Sequence, residues 1–135
     1  MTPEFVQQLL ARAVVRDFLR FAAVGAVATA AHYAVLIALT ELAGFNPVTD
    51  TVCGFAVGAL VSYTLNRIYT FSVRPAFGRG LVKFLIVVGI GAVLNAAIVA
   101  FFIQLGLHYI IAQVIATCVV LIWNFAGARF VVFRA

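Results

Sequence analysis

Polar residues fall along this chain in clusters, and four long apolar runs lie between them, at about residues 19–42, 51–71, 82–105 and 108–130. Crossing the ~30 Å hydrocarbon core of a bilayer takes roughly 20 helical residues, and each run is long enough. None alternates apolar with polar in the ~10-residue segments of a membrane barrel. The pattern predicts an all-α integral membrane protein with four transmembrane helices. Its breaks are chemical. Gly44-Phe45-Asn46-Pro47 ends the first run, because Pro47 cannot continue a helix and restricts the residue before it. Thr49 or Asp50 is then placed to cap the second. Residues 74–80 (RPAFGRG) separate the second and third runs, and residues 105–108 (LGLH) make a tight turn before the fourth.

Ahead of the first run, Thr2-Pro3-Glu4 reads as a helix start with proline at the first helical position. Phe5, Val6, Leu9, Leu10, Ala13 and Val14 then share one helical face, opposite Gln8, Arg12 and Arg16. That is the pattern of a short helix lying on the membrane surface, although a frayed basic tail fits the same residues. The domain organisation expected is an interfacial segment over 1–17 and one transmembrane domain over 18–135. A secretory signal is the competing reading of the start, since basic residues precede the run and Ala28-Thr29-Ala30 resembles a cleavage site. The run continues to Leu42, well past the ~7–15 residues of a signal core.

Composition agrees with the pattern. Of 135 residues 66% are hydrophobic and 10% charged, whereas a soluble domain has about half and a quarter. Charge adds direction. Arg12, Arg16 and Arg20 precede the first run, Arg67, Arg74, Arg79 and Lys83 join the second to the third, and Arg129 and Arg134 follow the fourth. The opposite side has Glu41, Asp50 and His108. Lysine and arginine are retained in the cytoplasm, so both termini are expected there, and a bias this complete excludes dual topology. Cys53 and Cys118 fall inside spans as small buried hydrophobes, with no metal or disulfide spacing.

The two halves echo each other. At an offset of 63, Phe18-Leu19-Arg20-Phe21 falls on Leu81-Val82-Lys83-Phe84 and His32 falls on Asn95. After one gap the offset is 62, which pairs Gly44 with Gly106, Tyr63 with Phe125, Arg67 with Arg129 and Phe71 with Phe133. Each half is then a helical hairpin of the same orientation, a parallel repeat. His32 and Asn95 stand twelve residues past the basic position, ~18 Å along a helix and close to mid-bilayer.

Arg20-Phe21, Asn66-Arg67 with Phe71, Lys83-Phe84, and Asn124-Phe125 with Arg129 and Phe133 together make a chain that resembles the GtrA-like family of small four-helix membrane proteins. The second half departs from the first in having Gly127-Ala128 in the region of Leu65-Asn66. The resemblance implies movement of polyprenyl-phosphate-linked sugars across the bacterial inner membrane for surface polysaccharide assembly.

The residues support that expectation on their own terms. Arg20, Arg67, Lys83 and Arg129 sit at matched helix ends, with Asn66 beside them, and such cations bind phosphate oxygens, arginine bidentately. Headgroup snorkelling and an aromatic belt explain the same residue types, and for Arg74, Arg79 and Arg134 that reading is preferred. His32, Asn95, Asn124 and Ser62 are polar groups at membrane depth, where cost demands a partner or a wet crease. They are candidates for a track along which sugar hydroxyls pass, while interhelical bonding is the alternative for each and the preferred reading for Ser62 and Thr29.

No Walker-type loop, paired carboxylates or nucleophile-and-base set occurs, so no enzyme and no cofactor are expected. The expected partners are the lipid bilayer, a polyprenyl-phosphate-linked sugar and a membrane glycosyltransferase; nothing points to nucleic acid. Four helices barely enclose a groove for such a substrate, which favours a homodimer. An accessory subunit that anchors a glycosyltransferase, or a small cation exporter, would share the architecture. The exporter reading lacks a mid-membrane carboxylate.

The charge asymmetry makes a direct prediction. In a cysteine-free background, single cysteines at Ala76 and Ala135 react with an impermeant thiol reagent from the cytoplasm, and one at Phe45 from outside. Labelling of positions 45 and 76 from one side disproves the four-span topology.

Overall fold

The computed structural model describes residues 1–44 and 46–134. Four helices carry the fold: α1 (Pro3–Ala38), α2 (Pro47–Leu65), α3 (Phe77–Gln104) and α4 (Tyr109–Gly127), with no strand among the described residues. The chain divides into two compact units, Met1–Ser72 and Val73–Ala135. In the first, α1 packs on α2; in the second, α3 packs on α4. Three helical stretches are long and apolar enough to cross a membrane by length and composition: Pro3–Ala43, Phe77–Gln104 and Tyr109–Val132. Helix α2 is the fourth helix expected from the sequence.

The predicted start at Thr2 is observed. Its hydroxyl accepts a 3.3 Å hydrogen bond from the Phe5 amide, with Pro3 opening the helix. The expected surface helix, however, is not an element of its own. Helix α1 runs unbroken for 36 residues, about 54 Å, because residues 14–20 contain neither glycine nor proline to interrupt it. The cap expected at Thr49 or Asp50 is also displaced. The Asp50 amide donates to the Asn46 carbonyl at 2.9 Å, so α2 opens at Pro47 and Asp50 lies inside its first turn. Helix α3 begins at Phe77, five residues ahead of its apolar run, immediately after Pro75 and Ala76. At the 105–108 turn the His108 ring Nδ1 accepts from the Ile110 amide at 3.2 Å and caps α4. Phe45, within the predicted break, and Ala135 lie outside the described residues.

Each hairpin closes over small residues. Helix α2 carries Gly54 and Gly58 one turn apart, both buried. A Cβ at Gly54 would stand 2.7 Å from the His32 ring, and one at Gly58 would be 3.2 Å from the Ala28 carbonyl oxygen. In the second hairpin Ala112, Ala116 and Ala128 are fully buried. A Cβ on Gly91 would meet Asn124 at 2.6 Å, and one on Gly127 would collide with the Val87 side chain. Small residues of this kind let helix backbones approach where lipid removes the hydrophobic drive to associate. Outward, large apolar side chains such as Leu60, Val93, Ile122 and Phe130 are exposed, as a lipid-facing surface requires. Cys53 and Cys118 are exposed as well, and free, contrary to their expected burial. Both stand on the outward side of their helices, where an apolar thiol is at home in lipid.

Burial confirms the repeat register. Phe21, Val24 and Ala28 of α1 are buried, as are Phe84, Val87 and Gly91 of α3, 63 positions later. Tyr63, Asn66, Thr70 and Phe71 are buried, and so are Phe125, Ala128, Val132 and Phe133, at an offset of 62. Helix α2 finishes in a π turn, Asn66–Thr70, and α4 in a π turn at the equivalent Ala128–Val132. Asn66 therefore corresponds to Ala128, which resolves the pairing in the divergent stretch. A third π turn, Leu39–Ala43, closes α1 and has no counterpart at the end of α3. It lies where the offset falls from 63 to 62. A π turn accommodates one inserted residue in a helix, and this one absorbs the extra residue of the first half before Gly44 (φ 68°) and Gly106 (φ 89°) end the two helices alike.

The contact between Gly127 and Val87 gives a stability prediction. Gly127→Ala, overpacked against a β-branched neighbour, is expected to lower the detergent melting temperature by the equivalent of about 1–3 kcal/mol. Adding Val87→Ala should recover most of that loss. Failure of the second change to compensate argues against this helix contact.

Candidate functional site

The cations expected to bind phosphate lie at corresponding ends of the two hairpins. In the first, Arg20 is exposed and its Nη1 donates to the Tyr69 carbonyl oxygen at 3.4 Å, which places it beside the π turn that ends α2. Arg67 belongs to that turn, is half-buried and hydrogen-bonds the Tyr63 side chain one turn earlier. In the second, Lys83 is exposed on α3, and Arg129 is half-buried in the π turn after α4. The turns are set by backbone bonds from the Phe71 amide to the Asn66 carbonyl, 3.1 Å, and from the Phe133 amide to the Ala128 carbonyl, 2.8 Å. Each hairpin thus holds one such pair of cations, and Arg67 and Arg129 occupy the same place in a widened last turn.

Asn66 does not join them. It is fully buried. Its Nδ2 donates to Ser62 Oγ at 3.3 Å, and its Oδ1 accepts from Thr70 Oγ1 at 2.7 Å. Ser62, Asn66 and Thr70 thus form a polar ladder along one face of α2, each four residues from the next. The ladder satisfies the amide inside the helix pair, where an unpaired one would cost about 1–3 kcal/mol. Adjacency in sequence does not bring Asn66 to the side of Arg67, because neighbours on a helix point about 100° apart. Ser62 is likewise engaged, accepting from Asn66 within α2 rather than bonding across to the partner helix.

The remaining polar candidates divide between the units. His32 is half-buried on α1, with its ring across the gap left by Gly54. Asn95 accepts at Oδ1 from Gln113 Nε2 at 2.9 Å, linking α3 to α4, and the same amide donates to Thr117 Oγ1 at 3.0 Å. Gln113 and Thr117 are exposed and were not singled out by the sequence reading. Their signal was available: they are polar residues one turn apart within the fourth apolar run. Asn124 is half-buried, and its Oδ1 has no hydrogen-bond partner among the described residues. Next to it the Trp123 indole donates to the Val87 carbonyl oxygen at 2.9 Å. No group of three or more potential metal ligands occurs among the described residues.

Two like hairpins, each apolar outside and basic at the corresponding end, define a multi-pass α-helical membrane protein built from a repeated helix pair. The sequence model described as GtrA/DPMS, transmembrane domain, matches residues 20–133. The chain belongs to this family, and is a membrane protein of lipid-linked sugar processes. The matched segment starts at Arg20 and ends at Phe133, so it takes in both hairpins and both terminal π turns, and leaves the first half of α1 outside.

Asn66→Leu is expected to destabilise the protein by about 1–3 kcal/mol, since it strands Thr70 and Ser62 in a buried ladder. Arg20→Gln, at an exposed site, should leave the melting temperature unchanged. Equal effects of the two on melting would contradict the division drawn between structural and surface groups.

Proposed function

We propose that the chain is a flippase that moves polyprenyl-phosphate-linked sugar across the bacterial inner membrane for cell-surface polysaccharide synthesis or modification. In this reading both termini and all nine basic residues face the cytoplasm. The observation that carries it is the pair of matched π turns, which hold Arg67 and Arg129 at the same repeat position, with Arg20 or Lys83 on the partner helix of each hairpin. Cations fixed at a helix end bind the phosphate of the lipid carrier, and guanidinium donors match its oxygens in pairs. The isoprenoid tail remains in lipid. The sugar is the costly part, because each hydroxyl stripped of water without a replacement hydrogen bond costs several kcal/mol. His32 in the first hairpin and Asn95 in the second, at equivalent repeat positions, supply such bonds, with Gln113 and Thr117 beside Asn95 and Asn124 offering a free acceptor in the second hairpin. Asn66 and Ser62 take no part, being committed to each other.

A second reading, an accessory subunit for a membrane glycosyltransferase, is favoured by one feature. The first four turns of α1 precede the apolar run and expose Phe5, Leu9 and Leu10, a face suited to a protein partner. Purified protein in liposomes separates the two. A flippase moves a polyprenyl-phosphate-linked hexose between leaflets unaided, whereas an accessory subunit does nothing until the glycosyltransferase is supplied.

In the same assay Arg67→Gln with Arg129→Gln is expected to abolish transbilayer movement while membrane insertion persists, because seven cations remain to set orientation. Arg74→Gln with Arg79→Gln should retain most activity. Equal loss in both pairs would reduce the phosphate site to diffuse electrostatic attraction.

A further inference from the structure

The end of the first hairpin remote from its arginines contains a carboxyl group that its surroundings do not compensate. Asp50 is fully buried. Its Oδ2 accepts a 2.7 Å hydrogen bond from Thr40 Oγ1 in the π turn that closes α1, while Oδ1 has no hydrogen-bond partner among the described residues. In its own unit the basic residues are Arg12, Arg16, Arg20 and Arg67, all toward the other end of the hairpin, so none of these is available near α2's first turn. On the facing segment near this end the other ionisable groups are Glu41, which is exposed and adds like charge, His32, about two turns before Thr40 and occupied against Gly54, and the exposed phenol of Tyr33. Glu4, Arg12, Arg16, Asp17 and Arg20 lie in the first half of α1. The first turn of α2 favours a negative charge weakly, but the carbonyls that end α1 act in the opposite sense. One neutral hydroxyl does not replace the hydration of a carboxylate, and buried charges persist only where paired or coordinated.

Packing does not require the group either. In the repeat register Asp50 corresponds to Ala112, which is equally buried in the second hairpin. A methyl group suffices to close that helix pair. An acid therefore stands at a place where the same chain, in its other half, uses the smallest apolar side chain.

We propose that Asp50 and Thr40 form a binding site for a single monovalent cation, a proton or Na+, which supplies the positive charge the protein lacks there. A cation bound at one end of the hairpin, with anion-binding arginines at the other, gives a route for coupling lipid movement to an ion gradient. The coupling role rests on the flippase reading; the cation site rests on the geometry alone, and the two are tested apart.

Infrared difference spectra of the protein in liposomes test the site. The comparison is wild type against Asp50→Asn, with Asp50→Ala as a second variant whose fold the Ala112 position supports. For a proton, the C=O stretch of an un-ionised carboxyl is lost in both variants and is insensitive to Na+ at fixed pH. For Na+, replacing choline by Na+ shifts the carboxylate stretches of the wild type and not those of the variants. If neither signal distinguishes the wild type from the variants, the site does not exist. Coupling is read separately from transbilayer movement of a polyprenyl-phosphate-linked hexose under an imposed gradient of the cation so identified. The wild type should respond to the gradient and Asp50→Asn should lose that response; a response that survives the substitution overturns the coupling role.

Discussion

Helices in lipid gain nothing from hiding apolar side chains, so everything in this protein depends on how closely two backbones can approach. Where a Cβ would collide with a facing side chain, at Gly54, Gly91 and Gly127, the chain has none. Close approach in turn fixes what sits in the seam. His32 lies over one glycine, Asn124 fills the space beside another, and the Trp123 indole reaches a backbone carbonyl of α3. The polar groups proposed to act on substrate are held by the same contacts that make the hairpins.

The two hairpins solve this problem with different chemistry on one plan. The seam face of α2 steps by four residues through Asp50, Gly54, Gly58, Ser62, Asn66 and Thr70. The equivalent face of α4 is apolar except at Asn124. The Thr40–Asp50 bond crosses between the helices of the first hairpin, at roughly 0.6 kcal/mol for a bond of this kind, and the Ser62–Asn66–Thr70 ladder runs along α2 itself. The second hairpin makes its interhelical bonds beside that face, from Gln113 to Asn95 and from the Trp123 indole to the Val87 carbonyl.

Much of this was legible in the sequence. The number and type of helices followed from the apolar runs, and the repeat register followed from a few aromatic and basic residues whose burial now matches pair by pair. What escaped was direction around each helix. Asn66 and Arg67 read as one motif, yet one points into the hairpin and the other lies at its end. Cysteine was expected inside and is found outside, since in a membrane apolar character no longer separates core from surface. The continuity of α1 was missed for a related reason: a change from amphipathic to apolar composition looks like a boundary, but only glycine, proline or a cap can stop a helix.

That continuity gives α1 a mechanical character. About 30 Å of its ~54 Å suffices to cross the hydrocarbon, which leaves a stiff overhang of about 24 Å with no hinge at its base. A change in tilt of about 20°, within the range of spanning helices, would sweep the far tip roughly 8 Å sideways. Motion in the membrane is thereby geared to displacement outside it, and the exposed face of Phe5, Leu9 and Leu10 rides at the end of the lever.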